Sequence, residues 1–160
     1  MSHELSRLSD YFPPEDLKWK PLGLSSDRKK ARVAPFLSSR AIMDRLDEVC
    51  GPENWKNEFR EGPAGGVLCG ISIRVHRDGA PAEWVTKWDA AENTDIQPVK
   101  GGMTASMRRA AVQWGIGRYI YRMPTIWAAV DRDGRLVERP SIPDDFKPSA
   151  VRRLESKEAA

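Results

Sequence analysis

Two runs of alternating apolar and polar residues, joined by a turn signal, constrain the fold of this chain more than any other feature. In residues 67–75 an apolar side chain stands at every second position, and the polar residues Ser72 and Arg74 alternate with the last three of them. A period of two is typical of a strand with one buried face. The tripeptide RDG at residues 77–79 signals a hairpin, and the segment AEWVTKWDA alternates again after it. We therefore predict two antiparallel strands.

One more strand and a helix precede this hairpin. The segment NWKNEFREG predicts a strand, which completes a three-stranded meander. The segment SSRAIMDRLDEVCGP predicts a helix, because Ser38 or Ser39 is a suitable N-cap and Gly51 is a suitable stop. The apolar stripe of this helix includes Ile42 and Leu46.

A second helix is predicted to start near Thr104, after a polar loop that ends in two glycines. At about 100 degrees per residue its apolar residues fall on one stripe, which is the predicted contact with the core. The stripe consists of Met103, Met107, Ala110, Ala111 and Trp114. Arg108 and Arg109 fall off this stripe, on either side of Val112, so both are predicted to point away from the core.

These elements predict an α+β protein in which an antiparallel meander packs on helices, as a β-β-β-α unit preceded by a helix. A hydrophobic content of 40% and six tryptophans supply enough apolar surface for a core in 160 residues. Both ends of the chain are more polar. We therefore predict an N-terminal arm at residues 1–34, a folded domain at residues 35–140 and a flexible C-terminal tail at residues 141–160.

Positive charge is concentrated in two segments, although the net charge is only +3. Residues 18–32 hold six cations against Asp27 alone, and residues 96–130 hold five cations and no acid. Arginine outnumbers lysine 17 to 9, and its planar guanidinium is the better phosphate ligand. A polyanion is therefore the predicted class of partner. Arg108 and Arg109 have no acid nearby in the sequence, so their counter-charge is expected from solvent or from another molecule.

The sequence contains no motif that supports a catalytic mechanism, beginning with the absence of a GxxxxGK[ST] phosphate loop. Asp78 and Glu83 come nearest to the carboxylate cluster of a metal nuclease, but Val85 stands where that motif has a lysine. His3 and His76 have no serine or cysteine in a triad-like setting. We predict a binding protein rather than an enzyme, with no catalytic residue, metal, cofactor or small-molecule substrate.

The cysteines and the hydropathy pattern indicate the cellular compartment in which the protein is expected. Cys50 and Cys69 lie in apolar contexts without a CxxC pair, so both are predicted to be buried free thiols. No apolar run approaches the roughly 20 residues of a membrane span, and the N-terminus lacks the pattern of a signal peptide. A cytoplasmic protein without membrane contacts is expected, and it would associate with the nucleoid where the polyanion is DNA.

Two segments, FLSSRAIMDRLDEVCGPENW and KGGMTASMRRAAVQWGIGRYIY, resemble the Rad52/Rad22 family of single-strand annealing and recombination-mediator proteins. The resemblance covers residues 36–124. Its WGIGRY motif is similar to the motif of DdrA-type proteins of radiation-resistant bacteria and of phage annealing proteins. It implies a β-β-β-α unit that assembles side by side into a ring, with a positively charged groove for single-stranded DNA.

The resemblance also implies roles for particular residues. The basic pair on the groove-lining helix of the family falls on Arg108 and Arg109, and its groove arginine near the first helix falls on Arg40. Eukaryotic annealing proteins carry a further arginine where this chain has Val112. Fewer cations imply a weaker grip on the phosphate backbone, which argues against annealing of complementary strands more than against binding. The resemblance to DdrA-type proteins implies protection of single-stranded 3′ ends, so end protection and annealing are both expected activities.

Three further cations are candidates for the groove from the residues alone. Lys100 precedes two glycines at the predicted helix entry, Arg118 follows the second helix, and Arg74 lies on the polar face of a predicted strand. The tryptophans are expected to pack in the core or between subunits rather than to stack on bases. Two alternatives to DNA binding stay open: a metal-dependent nuclease, and a basic scaffold for an acidic protein.

Overall fold

The computed structural model describes residues 4–62, 65–92 and 98–149. It confirms the α+β prediction, with two helices and two antiparallel sheets of three strands each. The strands and helices, in chain order, are β1 (Leu17–Leu24), β2 (Lys30–Leu37), α1 (Ser39–Cys50), β3 (Trp55–Glu61), β4 (Val67–Arg77), β5 (Ala80–Ala91), α2 (Pro98–Gln113) and β6 (Ile126–Ala129). The chain divides into two compact units, Met1–Asp10 with Ser38–Arg118, and Tyr11–Leu37 with Tyr119–Ala160.

Helix α1 of the first unit forms where the sequence predicts it. The Ser38 hydroxyl accepts a hydrogen bond from the Ala41 amide at 3.2 Å, which satisfies one of the unpaired donors of the first turn. Ile42 and Leu46 are buried along the predicted stripe. The helix stops at Gly51, whose φ of 83° lies in the left-handed region that favours glycine.

The predicted meander is the β3-β4-β5 sheet of the first unit. Strand β4 lies in the middle and pairs antiparallel with both neighbours. Its residues Cys69, Ile71 and Ile73 are fully buried, as expected for one face of an alternating strand. The hairpin from β4 to β5 turns at Gly79, which has a φ of 74°. The β-β-β-α order preceded by a helix is therefore confirmed.

Helix α2 differs from the prediction at its N-terminal end. It is helical from Pro98, not from near Thr104, because proline is tolerated in a first turn, where its missing N–H has no partner in any case. Of the predicted stripe, Met107, Ala110 and Ala111 are buried. Met103 is 36% exposed.

The second unit contains strands that the sequence did not predict. Strand β2 pairs antiparallel with β1 on one side and with β6 on the other. Ala31, Val33 and Ala128 form part of its core. Residues 1–34 were expected to be an arm because they are polar with little periodicity. Strand β1 includes Pro21, and the register shifts between Pro21 and Gly23, an irregularity at which proline is tolerated.

The prolines also explain why the second unit was not predicted as a sheet, since a proline within a run argues against a strand. The division into arm, domain and tail stays a prediction, and residues 150–160 of the expected tail lie outside the described residues. No helix within the described part of the chain is long and apolar enough to cross a membrane.

Candidate nucleic-acid interface

The C-terminal half of α2 lies against β5, and polar side chains from both elements meet there. The odd-numbered residues of β5 face the helix, as contacts of Lys87 and Asp89 with α2 show. The indole of Trp114 donates to the Ile71 carbonyl at 2.9 Å and ties the end of the helical segment to β4. We call the resulting surface the α2–β5 flank; it consists of Lys87, Asp89, Arg109, Gln113 and Arg118.

Arg109 has a counter-charge within the chain, which corrects the expectation that solvent or another molecule supplies it. Its Nε donates to Oδ1 of Asp89 at 3.2 Å, and Gln113 donates to the other carboxylate oxygen at 3.3 Å. The acid was missed because it lies 20 residues before Arg109 and reaches the helix only through packing of β5 against α2. The Arg109 side chain remains 57% exposed, so it keeps donors for a second anion.

The carboxylate of Asp89 is ionised at neutral pH. Partial burial raises its pKa, but hydrogen bonds from the Ala90 amide, Arg109 and Gln113 outweigh burial, and the net pKa lies below its ordinary value. A lowered pKa means that this carboxylate stabilises the fold above its ordinary pKa and loses that contribution as the pH falls through the lowered value. The contact with Arg109 is therefore intact across the neutral range.

Two more cations gather at the C-terminal end of α2. Lys87 donates to the Gln113 carbonyl at 2.9 Å, and its ammonium lies 4.4 Å from the ring centre of Trp114. Arg118 donates to the carbonyls of Val112 at 2.8 Å and of Gln113 at 3.1 Å. Cations are favourable at this end of a helix because its last carbonyls are unpaired and carry partial negative charge.

The predicted site residues are thus only partly brought together. Arg109 and Arg118 share the α2–β5 flank, and Arg108, half-buried, neighbours Arg109 on the helix. Lys87 joins them and was missed, although its alternating position on β5 is a signal for the helix-facing side. Arg118 also holds the helix end, so a binding role for it stays a prediction.

The other predicted residues lie elsewhere. Arg40 is exposed in the first turn of α1, a turn without acidic residues. Arg74 is exposed on the opposite face of the sheet from α2, because even-numbered residues of β4 alternate with the buried Ile71 and Ile73. Lys100 is part of α2, but its side chain lies outside the described residues.

The residues weighed for a nuclease are arranged differently. Glu83 forms an ion pair with Arg77 at 2.7 Å. No group of three His, Cys, Asp or Glu side chains that would suit a metal ion occurs among the residues that the structure describes. Both cysteines are free, and burial raises the pKa of the Cys69 thiol to about 11, which keeps it protonated at neutral pH.

Comparison with known proteins adds to this geometry. Residues 2–135 match the model of the Rad52/22 family of double-strand break repair proteins. The single-stranded DNA-binding protein DdrA of Deinococcus radiodurans is 31% identical over 95% of this chain and 71% of its own length. The protein of the same name from Deinococcus deserti is 32% identical over 95% of this chain and 74% of its own length. The chain belongs to the Rad52/22 family of double-strand break repair proteins.

Proposed function

We propose that this protein binds single-stranded DNA in DNA repair, and that the phosphates lie along the α2–β5 flank and the adjacent Arg108. The observation that carries the proposal is the gathering of three cations at the C-terminal end of α2. Lys87 and Arg118 both donate to the Gln113 carbonyl, and Arg109, one turn earlier, pairs with Asp89. Both relatives named above are called single-stranded DNA-binding proteins, which supports the same ligand for this chain.

The flank suits a ligand that is recognised by charge rather than by sequence. Guanidinium groups donate to phosphate oxygens in a planar fork, and Arg109 keeps an exposed guanidinium edge beside its bond to Asp89. No base-specific contact is needed for such binding, because the phosphates repeat along any strand. Asp89 repels an approaching phosphate, so it weakens the grip of the flank while it orients Arg109.

The protein is proposed to act as a homo-oligomer, in the ring that its family resemblance implies. Two or three phosphate contacts per subunit are weak, but a closed array of subunits converts them into avidity. Held in this way, a strand is protected at its 3′ end and is extended for pairing with a complement, with no need for ATP or a metal. Val112 beside the arginine pair favours end protection, since it removes one cation from the helix surface.

The test is fluorescence anisotropy of a labelled oligothymidylate at increasing salt. Each phosphate neutralised on a single strand contributes about −0.7 to the slope of log affinity against log salt, so three neutralised phosphates per subunit give a slope of roughly −2. A duplex of equal length should bind more weakly, and polyglutamate of equal charge should compete poorly. Strong competition by polyglutamate would favour an acidic protein as the partner, and a flat salt profile would contradict phosphate binding.

Asp89→Asn is expected to strengthen binding of oligothymidylate several-fold. The substitution removes the charge that opposes phosphate beside Arg109, while the asparagine oxygen still accepts from its guanidinium. The salt slope should steepen by up to about 0.7, because Arg109 then gives up a full counterion when DNA binds. Asp133→Asn, at an exposed carboxylate of the other unit, is the matched control for loss of one carboxylate. Weaker binding by Asp89→Asn would contradict this prediction, because it would mean that the carboxylate helps DNA binding by holding Arg109 in place more than its charge hinders it.

A further inference from the structure

The sheet face opposite α2 carries aromatic and cationic side chains that the α2–β5 flank does not use. Lys56, Ser72 and Thr86 stand side by side across the three strands, so the even-numbered residues of β3, β4 and β5 share this face. Its aromatic and cationic members are Lys56, Arg60, Arg74, Trp84 and Trp88, which we call the outer sheet face.

Trp88 is fixed on this face by the residue opposite it. A Cβ atom at Gly70 would stand 2.7 Å from the Trp88 ring, so only glycine lets the indole lie against the middle strand. The Arg60 guanidinium lies 4.5 Å from the centre of the same ring and also pairs with Glu58 at 2.9 Å. Trp88 is therefore half-buried between backbone and cation.

Trp84 lies more open than Trp88. Its side chain is 45% exposed, so it does not pack in the core of this chain, the first of the two places expected for it; the second, contact between subunits, stays a prediction. The Lys56 ammonium lies 4.9 Å from its ring centre, and the exposed Arg74 stands directly opposite it on β4. An open indole flanked by cations is the combination with which proteins bind single strands, through base stacking and phosphate contacts.

We propose that the outer sheet face is a second single-stranded DNA contact, in which a base stacks on Trp84 while Lys56, Arg60 and Arg74 approach the flanking phosphates. Three cations against the single acid Glu58 give this face the charge that a polyanion requires. Lys56 has a flexible stem, so its ammonium leaves the ring for a phosphate when a base takes its place. This contact rests on the proposed function, and the sheet separates it from the α2–β5 flank.

Stacking is tested by comparing two oligonucleotides of equal length, oligothymidylate and its fully abasic analogue. The abasic strand keeps the phosphates and loses the bases. Trp84→Ala is expected to weaken oligothymidylate binding roughly ten-fold and to leave abasic binding unchanged, since stacking is worth about 1–3 kcal/mol per base. Trp84→Phe should recover most of the loss. Trp127→Ala, which removes a tryptophan that is 51% exposed in the other unit, should change neither affinity.

The outcomes separate this contact from the proposed function. Equal loss of both ligands in Trp84→Ala, or unchanged affinity for both, would overturn the stacking contact and leave the α2–β5 flank untouched. Loss of the oligomer in Trp84→Ala without a base-dependent effect would assign the face to contact between copies of this chain, which also overturns it. Wild-type protein that binds neither oligonucleotide would overturn the proposed function and this contact together.

Discussion

Replacing Arg108 and Arg109 together with alanine is expected to weaken oligothymidylate binding roughly 100-fold at low salt. A hydrogen bond to a charged group is worth about 1.5 kcal/mol or more. Each of the two substitutions removes a guanidinium that donates at least one such bond to a phosphate. The slope of log affinity against log salt should also fall by about 1.4, because two phosphate contacts are lost. Anisotropy titrations at several salt concentrations measure both quantities.

The fold of this double variant should survive. Both arginines lie off the buried stripe formed by Met107, Ala110 and Ala111, and exposed ion pairs such as that of Arg109 with Asp89 are worth roughly 0–1 kcal/mol. The charge-retaining variant Arg108→Lys with Arg109→Lys should keep most of the salt slope. Arg135→Ala is the control for loss of a surface arginine, since that side chain is 80% exposed and pairs with Asp133. A folded alanine variant that binds as the wild type does would refute the α2–β5 flank.

Gly115→Ala is expected to lower the free energy of unfolding by roughly 2–3 kcal/mol. Gly115 follows α2 with a φ of 95°, where an L-residue is strained by about 1–2 kcal/mol, and an added Cβ would also collide with the Ser9 hydroxyl. The residue starts the turn that leads to Arg118, whose guanidinium holds the last carbonyls of the helix. Urea unfolding measures the change.

Two variants separate strain from collision. Gly79 has a φ of 74° and open space around its missing Cβ, so Gly79→Ala should show the strain alone, roughly 1–2 kcal/mol. The double variant Ser9→Ala with Gly115→Ala lacks the hydroxyl that collides with the added Cβ. Its free energy of unfolding should therefore fall only as much as that of Gly79→Ala. If Gly115→Ala is no more destabilising than Gly79→Ala, the close approach of Ser9 contributes nothing.

Much of the first unit was predictable because its signals are local. Alternation in β4, the turn at Gly79 and the cap at Ser38 each depend on a few adjacent residues, and each was confirmed. Helical phase likewise placed Arg108 and Arg109 off the buried stripe of α2. The sheet of the second unit was not predictable in this way, because β6 joins β2 only through pairing across about 90 residues of chain, and Pro21 argued against a strand.

The same distinction applies to the site. The cations were visible in the sequence, but the partner of Arg109 was not, because Asp89 lies 20 residues away and meets the helix through packing of β5. Trp84 was expected to pack in the core or between subunits because it shares a strand face with Trp88, and only the tertiary structure shows its indole open beside Lys56. The residue types predicted a polyanionic ligand. The direction in which each side chain points, and the residue with which it pairs, became visible only in the folded structure.

Arginine-selective modification with phenylglyoxal, mapped by mass spectrometry with and without saturating oligothymidylate, tests the central claim most directly. A bound phosphate blocks the guanidinium, so Arg108, Arg109 and Arg118 should be protected, while Arg135, on the other unit, should react equally in both samples. Protection of Arg109 by DNA is the result that this structure predicts. Equal modification of Arg109 in the free and the saturated protein would contradict it.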